Sequence, residues 1–187
     1  MKKILKIIII FLIIVPVFFF SIILFDDGVI EYEETITIEA PTQTIDSFIG
    51  NIYNMKQYMT GDFDIVLIKG EHQKSNAIYN IIWKIDTDSM TMQATLLNNN
   101  LPDSISYLYE TKGLKNTMTQ KHNLTSNNHT QIINKQKFEF YGVMKILKFL
   151  NIKGFKKSDF QNQSKIYLNE FKLFIENEAI PNKIIKS

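Results

Sequence analysis

The chain has 187 residues, with 21 lysines and no arginine set against 19 acidic residues, and it has no cysteine. Disulfides, thiolate metal sites and thiol catalysis are excluded, and no planar guanidinium is present to grip phosphate or carboxylate through two parallel bonds. Beyond residue 25 the balance is 18 lysines against 19 acids, so the basic footprint of a nucleic-acid binder is missing.

The first predicted element is a membrane span. Ile7 to Phe25 is a run of 19 residues without a charge, in which Ser21 is the polar exception and Pro16 the one helix breaker. About twenty apolar residues cross a hydrocarbon core of roughly 30 Å. Lys2, Lys3 and Lys6 precede the run and Asp26 and Asp27 follow it. The positive-inside rule then keeps the N-terminus in the cytoplasm and places the rest of the chain across the membrane. A cleaved signal peptide is the rival, with an apolar core of about 7–15 residues and a small-residue cleavage site. Phe20 to Asp27 offers no such site, which favours an uncleaved anchor over residues 1–26 of a single-pass protein in a bacterial cell membrane.

Residues 27–180 read as one domain and 181–187 as a flexible tail. Val29 to Ile38 alternates Ile30, Tyr32, Ile36 and Ile38 with Glu31, Glu33, Thr35 and Thr37, the pattern of a half-buried strand. Ala40-Pro41 stops it. Thr42 to Ile49 and Asn51 to Met59 read as two short helices hinged at Gly50, with Thr42 or Thr44 as the capping residue. Strands follow over Asp62–Lys69, Asn76–Ile85, Ser89–Leu97 and Ser104–Lys112, with Asn98–Asp103 a loop. Asn116–Leu124 and Thr130–Phe140 close an antiparallel meander as a hairpin around Asn127. After Gly142 the period turns helical. Val143–Leu150 is a short apolar piece, and Lys156–Glu178 a long helix with Ser158 as a cap. Its Phe160, Tyr167, Leu168, Phe171 and Phe174 share one stripe. Pro181 ends it. Charge is uneven: residues 26–134 hold 7 lysines and 14 acids, residues 135–187 hold 11 lysines and 5 acids. A solvated lysine-rich helix explains this more simply than a lysine face aimed at anionic headgroups.

The order of strand, two short helices, six strands and one long helix resembles the START-like superfamily, which includes polyketide cyclases and Bet v 1-like proteins. Three segments carry the resemblance: the opening ITIEAPTQTIDSFIGNIYNMKQYMTG, the strand YNIIWKI, and the closing LNEFKLFIENE, where Phe171 replaces the second leucine of the family's Leu-x-x-Leu-Lys pattern. The resemblance spans about Val29 to Asn177. It implies an α+β helix-grip fold, in which an antiparallel sheet of about seven strands curls around the C-terminal helix and encloses a cavity for an apolar ligand. The strand and helix faces then nominate Tyr79, Trp83, Met90, Met92, Tyr107, Tyr109, Phe138, Tyr167 and Phe171 as its walls. Such side chains also build ordinary cores.

The final hairpin carries the more unusual pattern. Met118, Gln120, His122 and Leu124 share a strand face, as do Ile132, Asn134, Gln136 and Phe138. A tight turn sets Gln120 opposite Asn134 and His122 opposite Ile132, which gathers Gln120, His122, Asn134 and Gln136 into one polar cluster. If that face points inward, each amide needs a partner, and His122 is the candidate acid–base or orienting group. His72 and His129 read as exposed loop residues, and Glu110 as facing solvent or a lysine. The three histidines have no metal-ligand spacing, so neither metal nor cofactor is expected. The expected partners are the bilayer and a hydrophobic small molecule. The leading expectation is a non-enzymatic tethered binder that sequesters a lipid or passes it on, with the long helix and the Asn98–Asp103 loop gating entry. A cyclase or aromatase using the cluster around His122, and an envelope interaction module with a filled cavity, are the alternatives.

Overall fold

The computed structural model describes residues 2–126 and 128–179, so the expected tail and the turn residue Asn127 lie outside the described residues. Helix α1 (Lys2–Phe25) contains Pro16 and is long and apolar enough to cross a membrane. Its most apolar stretch, Lys3–Ser21, has a mean hydropathy of 2.9 and is not buried against the rest of the protein, properties a signal sequence shares. Strand β1 (Val29–Ile38) follows, then α2 (Thr42–Ile49), a 3-10 turn (Ile52–Asn54) and α3 (Met55–Tyr58). Six strands come next: β2 (Phe63–Lys69), β3 (Ile78–Ile85), β4 (Asp88–Asn100), β5 (Ser104–Thr111), β6 (Leu114–Ser126) and β7 (His129–Phe140). Helices α4 (Val143–Phe149) and α5 (Lys157–Phe174) end the fold, α5 running into a π-helical turn at Ile175–Ala179.

The seven strands form one antiparallel sheet in the order β1-β7-β6-β5-β4-β3-β2. Consecutive strands pair as hairpins, and β1 closes on β7 with Ile30 opposite Phe138 and Tyr32 opposite Gln136. Alternation along each strand puts its apolar residues on the concave face. There Ile38, Ile81, Leu96, Ile105 and Ile132 pack with Ile45 of α2 and with Leu168 and Phe171 of α5. A smaller cluster, Ile30, Tyr32, Phe138 and Phe140, is covered by Phe155, Phe160, Leu114 and Met144. Gly50 sits where a Cβ would come within 2.8 Å of the Asp46 carbonyl and 3.0 Å of Leu101, so the bend between α2 and α3 has room for no other residue without displacement.

Several details depart from the sequence reading. Helix α2 is not capped by threonine: Pro41 occupies the cap, and the Thr42 hydroxyl meets Thr130 at 3.1 Å instead. Ser158 does not cap α5, because the Asp159 carboxylate accepts from the Gly154 and Lys156 amides. The first half of the expected loop at Asn98–Asp103 is strand. A bulge after Leu96 carries β4 through Asn100, pairing Asn98–Asn100 with Ser106–Ser104 and leaving a turn at Leu101–Asp103. His72 is no exposed loop residue: it is half-buried, with Nδ1 3.0 Å from the Tyr79 hydroxyl. Glu110 does meet a lysine, Lys115, at 2.9 Å.

The uneven charge also finds its explanation. Glu31, Glu33 and Glu34 of β1 stand beside Lys137, Lys135 and Lys165 at 3.9, 3.3 and 3.8 Å, since the first strand lies against the last strand and the last helix. The two pairs of β1 with β7 are exposed and contribute little each, about 0–1 kcal/mol.

Candidate functional site

Burial along the strands is graded, and the gradient defines a cavity. At one end of the sheet stand Met90 of β4, 47% exposed, and the half-buried Trp83, Thr111 and Leu114. Two to four residues farther along the same strands, Ile81, Ala94, Tyr107 and Met118 are buried, and beyond Met118 so is Gln120. A cavity of about 330 Å³ opens at the first end, between the concave face and α5. Its walls are Met55, Met59, Trp83, Met92, Tyr109, Met118 and Phe138, with Phe160 and Tyr167 from the helix. Asn116 and Gln136 from the sheet and Gln163 and Ser164 from α5 supply its polar groups. Among the described residues no charged side chain lines it. A larger concavity of about 670 Å³, between α2 and the Leu101–Pro102 turn, is lined mainly by polar residues and opens broadly to solvent.

The polar groups are unevenly satisfied. Ser164 is bonded to the Tyr32 hydroxyl at 2.8 Å, and that hydroxyl donates to the Phe160 carbonyl at 2.9 Å. The Gln136 amide donates to Asn134 Oδ1 at 3.3 Å. Asn116 Oδ1, Gln136 Oε1, Asn134 Nδ2 and both amide atoms of Gln120 are buried without a hydrogen-bond partner. Leaving such an atom unpaired costs about 1–3 kcal/mol. Tyr58, Tyr109 and Tyr167 are held well into the phenol form, because burial raises the pKa of each. The Tyr58 hydroxyl and the nearby Gln120 amide act in the opposite sense on Tyr167. An unfolded tyrosine ionises near pH 10. Stability is therefore expected to hold up to about pH 10 and to fall above it, where the unfolded chain has released protons that the folded one retains. Urea midpoints measured at rising alkaline pH check this, and a Tyr58→Phe, Tyr167→Phe pair should flatten the decline.

The sequence-nominated residues separate into groups. Trp83, Met92, Tyr109, Gln136, Phe138 and Tyr167 line the cavity. Tyr79, Tyr107 and Phe171 are core residues buried beyond it. Met90 stands outside it, nearly half-exposed close to the start of β4. Gln120 and Asn134 face each other one step deeper than the lining, in the register the hairpin predicts, with His122 opposite Ile132. His122 is enclosed and does not line the cavity. Its Nδ1 lies 2.6 Å from the Asp46 carboxylate of α2, and its Nε2 has no partner. Asn116 was legible, being two residues before Met118 on the same face, and Phe160 lay on the recognised helical stripe. Asp46, 76 residues from His122, carried no local signal. The Leu101–Asp103 turn joins the opposite ends of β4 and β5 from the cavity, so it does not gate entry. Among the described residues no group of three His, Asp or Glu is placed to hold a metal.

No protein-family model and no curated protein matches the sequence. Solved structures do match. Ara h 8.0201 superposes with a TM-score of 0.60 at 14% identity, over 86% of this chain and 100% of that one. Norcoclaurine synthase from Thalictrum flavum gives 0.59 at 9% identity, over 80% and 95%. The Zhui aromatase/cyclase from Streptomyces sp. R1128 gives 0.52 at 11%, over 61% and 70%. Likeness at such identities is a statement about backbone path, and folds of this kind host many functions. The strand order, the curl of the sheet around α5 and these superpositions agree: the chain carries the helix-grip, Bet v 1-like fold, preceded by one long apolar helix.

Proposed function

We propose that the protein is a membrane-tethered, non-catalytic binder of a lipid or other hydrophobic small molecule, anchored by residues 1–26 with its domain outside the cytoplasm. The observation that carries this reading is the position of the cavity mouth. Leu114 and Phe160, at the mouth, pack in one cluster with Met144 of α4. Helix α4 in turn touches α1. Lys148 reaches Asp26 at 3.1 Å, and the rings of Phe149 and Phe18 are 6.5 Å apart. Phe18 lies about 10 Å along the helix axis before Phe25. An α1 that crosses the bilayer then carries the end of α4 to the depth at which interfacial helices bury their apolar faces, about 5–10 Å. Val143, Phe149, Leu150 and Ile152 are exposed there, with Lys145, Lys148 and Lys153 among them. A cavity held open toward lipid gains effective concentration for membrane ligands. The walls offer amides and hydroxyls without a charged group, which supports binding over acid–base chemistry.

The test is native mass spectrometry of the full chain released from lipid nanodiscs, with organic extraction of what it carries. An apolar mass that co-purifies, and that a cavity-filling Met118→Trp variant loses, is the expected result. Because the chain has no cysteine, a Lys74→Cys variant should react on intact cells with a membrane-impermeant maleimide. A bare protein mass, or a cysteine that reacts only after lysis, would remove the corresponding half of the reading.

A further inference from the structure

We infer that the cavity selects a neutral amphipath that brings a hydroxyl inward, and that it discriminates against the carboxylate of the same chain length. This rests on the ligand-binding reading above and adds the chemistry of the ligand's head. Two of the groups lining the cavity, Asn116 and Gln136, each point a buried carbonyl oxygen that accepts no hydrogen bond. Gln136 is more than nine-tenths buried, and its amide nitrogen is already committed to Asn134. The buried groups these two side chains leave unpaired are both acceptors, so the ligand group that complements them is a donor. Met118 separates the two positions, being the next concave-face residue after Asn116 on β6 and lying opposite Gln136 on β7.

Charge sets the second half of the selectivity. With no lysine, aspartate or glutamate among the described residues of the walls, a carboxylate or phosphate entering this space would lose its water and meet no cation there, a heavy cost. Lys148, on the helix that touches α1, is turned to Asp26. Size sets a third limit. Liquid water occupies about 30 Å³ per molecule, so a cavity of about 330 Å³ takes roughly eleven heavy atoms. A ten-carbon alcohol fills it; a longer lipid leaves the remainder of its chain at the mouth, beside Leu114 and Phe160.

The experiment uses the full chain in nanodiscs with 13C-methyl methionine. Met59, Met92 and Met118 report from inside the cavity, while Met90 and Met144 lie outside its lining and control for changes in the bilayer. Three probes of nearly equal length are titrated at pH 7.5 and compared at equal mole fraction in the bilayer: 1-decanol, decanoate and 1-methoxynonane. Decanol should shift the Met118 methyl at concentrations at least about tenfold below decanoate, and about fivefold below the ether, the value of one net hydrogen bond. Gln136→Leu or Asn116→Leu should bring decanol and the ether together. Decanoate binding as tightly as decanol, or no distinction between decanol and the ether in the unaltered protein, overturns the inference while leaving a ligand cavity in place. If none of the three moves the internal methionines, the inference and the binding reading fail together.

Discussion

Phe171→Ala is expected to lower stability by about 3–5 kcal/mol, the range for emptying a buried aromatic site. Against a usual total of 5–15 kcal/mol for a domain, that leaves the fold marginal or lost. Phe171 is 1% exposed, on the inward stripe of α5 between Leu168 and Ile175. Its ring meets Tyr58 of α3 edge-on with centroids 4.8 Å apart. Tyr58 in turn touches Phe174 and Tyr167, so this one side chain joins the long helix to the short helical segment at the other side of the cavity. The surroundings are poorly able to collapse into the space, because Tyr58 is fixed by three ring contacts and the sheet below it is continuous. Leu173→Ala, two residues on and 58% exposed, is the matched control and should change stability by less than about 0.5 kcal/mol. Urea titration followed by the fluorescence of Trp83, the one tryptophan, reads both. Equal midpoints for the two variants would mean that the sheet does not hold α5 through this stripe.

Phe171 was readable from the helical stripe, and the hairpin was readable in its register. A one-residue slip in a strand moves every side chain to the other face, so alternation keeps Met118, Ile132 and Phe138 inside, and a tight turn near Asn127 then sets Gln120 opposite Asn134. That pairing is the one present. What alternation does not carry is depth. It assigns a residue to the concave face but not to a position along the strand relative to α2 and α5, which cover the face unevenly. Tyr79, Trp83 and Met90 look alike on that basis, yet Tyr79 is fully buried in the core, Trp83 lines the cavity and Met90 stands nearly half-exposed beyond its edge. The same blindness hid the end of β4: three asparagines and a proline read as loop, although a bulge after Leu96 lets Asn98–Asn100 continue in the ladder and only Leu101–Asp103 turn. Pairings made between distant segments were also out of reach. Asp46 on α2 and His122 on β6 meet at 2.6 Å through the curl of the sheet, and neither has a neighbour in sequence that announces the other.

The inward polar row has a stability consequence that separates a binding site from a core. Gln120 is 1% exposed with neither amide atom hydrogen-bonded, and Asn134, directly opposite, keeps its own Nδ2 unpaired. Replacing a buried polar group that has no partner by an apolar one of similar shape removes a desolvation penalty and sacrifices no bond. Gln120→Leu is therefore expected to raise the stability of the ligand-free protein by about 1–3 kcal/mol. Ordinary core substitutions go the other way, so the sign itself is diagnostic. Sites kept for binding carry such local disadvantages, and relieving them tends to stabilise while weakening function. The same variant should then hold less of whatever co-purifies with the unaltered protein, because the Gln120 amide stands level with Asn134 and one step behind Gln136, which lines the cavity. Urea midpoints with and without delipidation give the first quantity, and native mass spectrometry gives the second. A Gln120→Leu protein that is less stable than the original when both are ligand-free would show that the amide is satisfied where it sits. The polar row would then be part of the core and not the floor of a site.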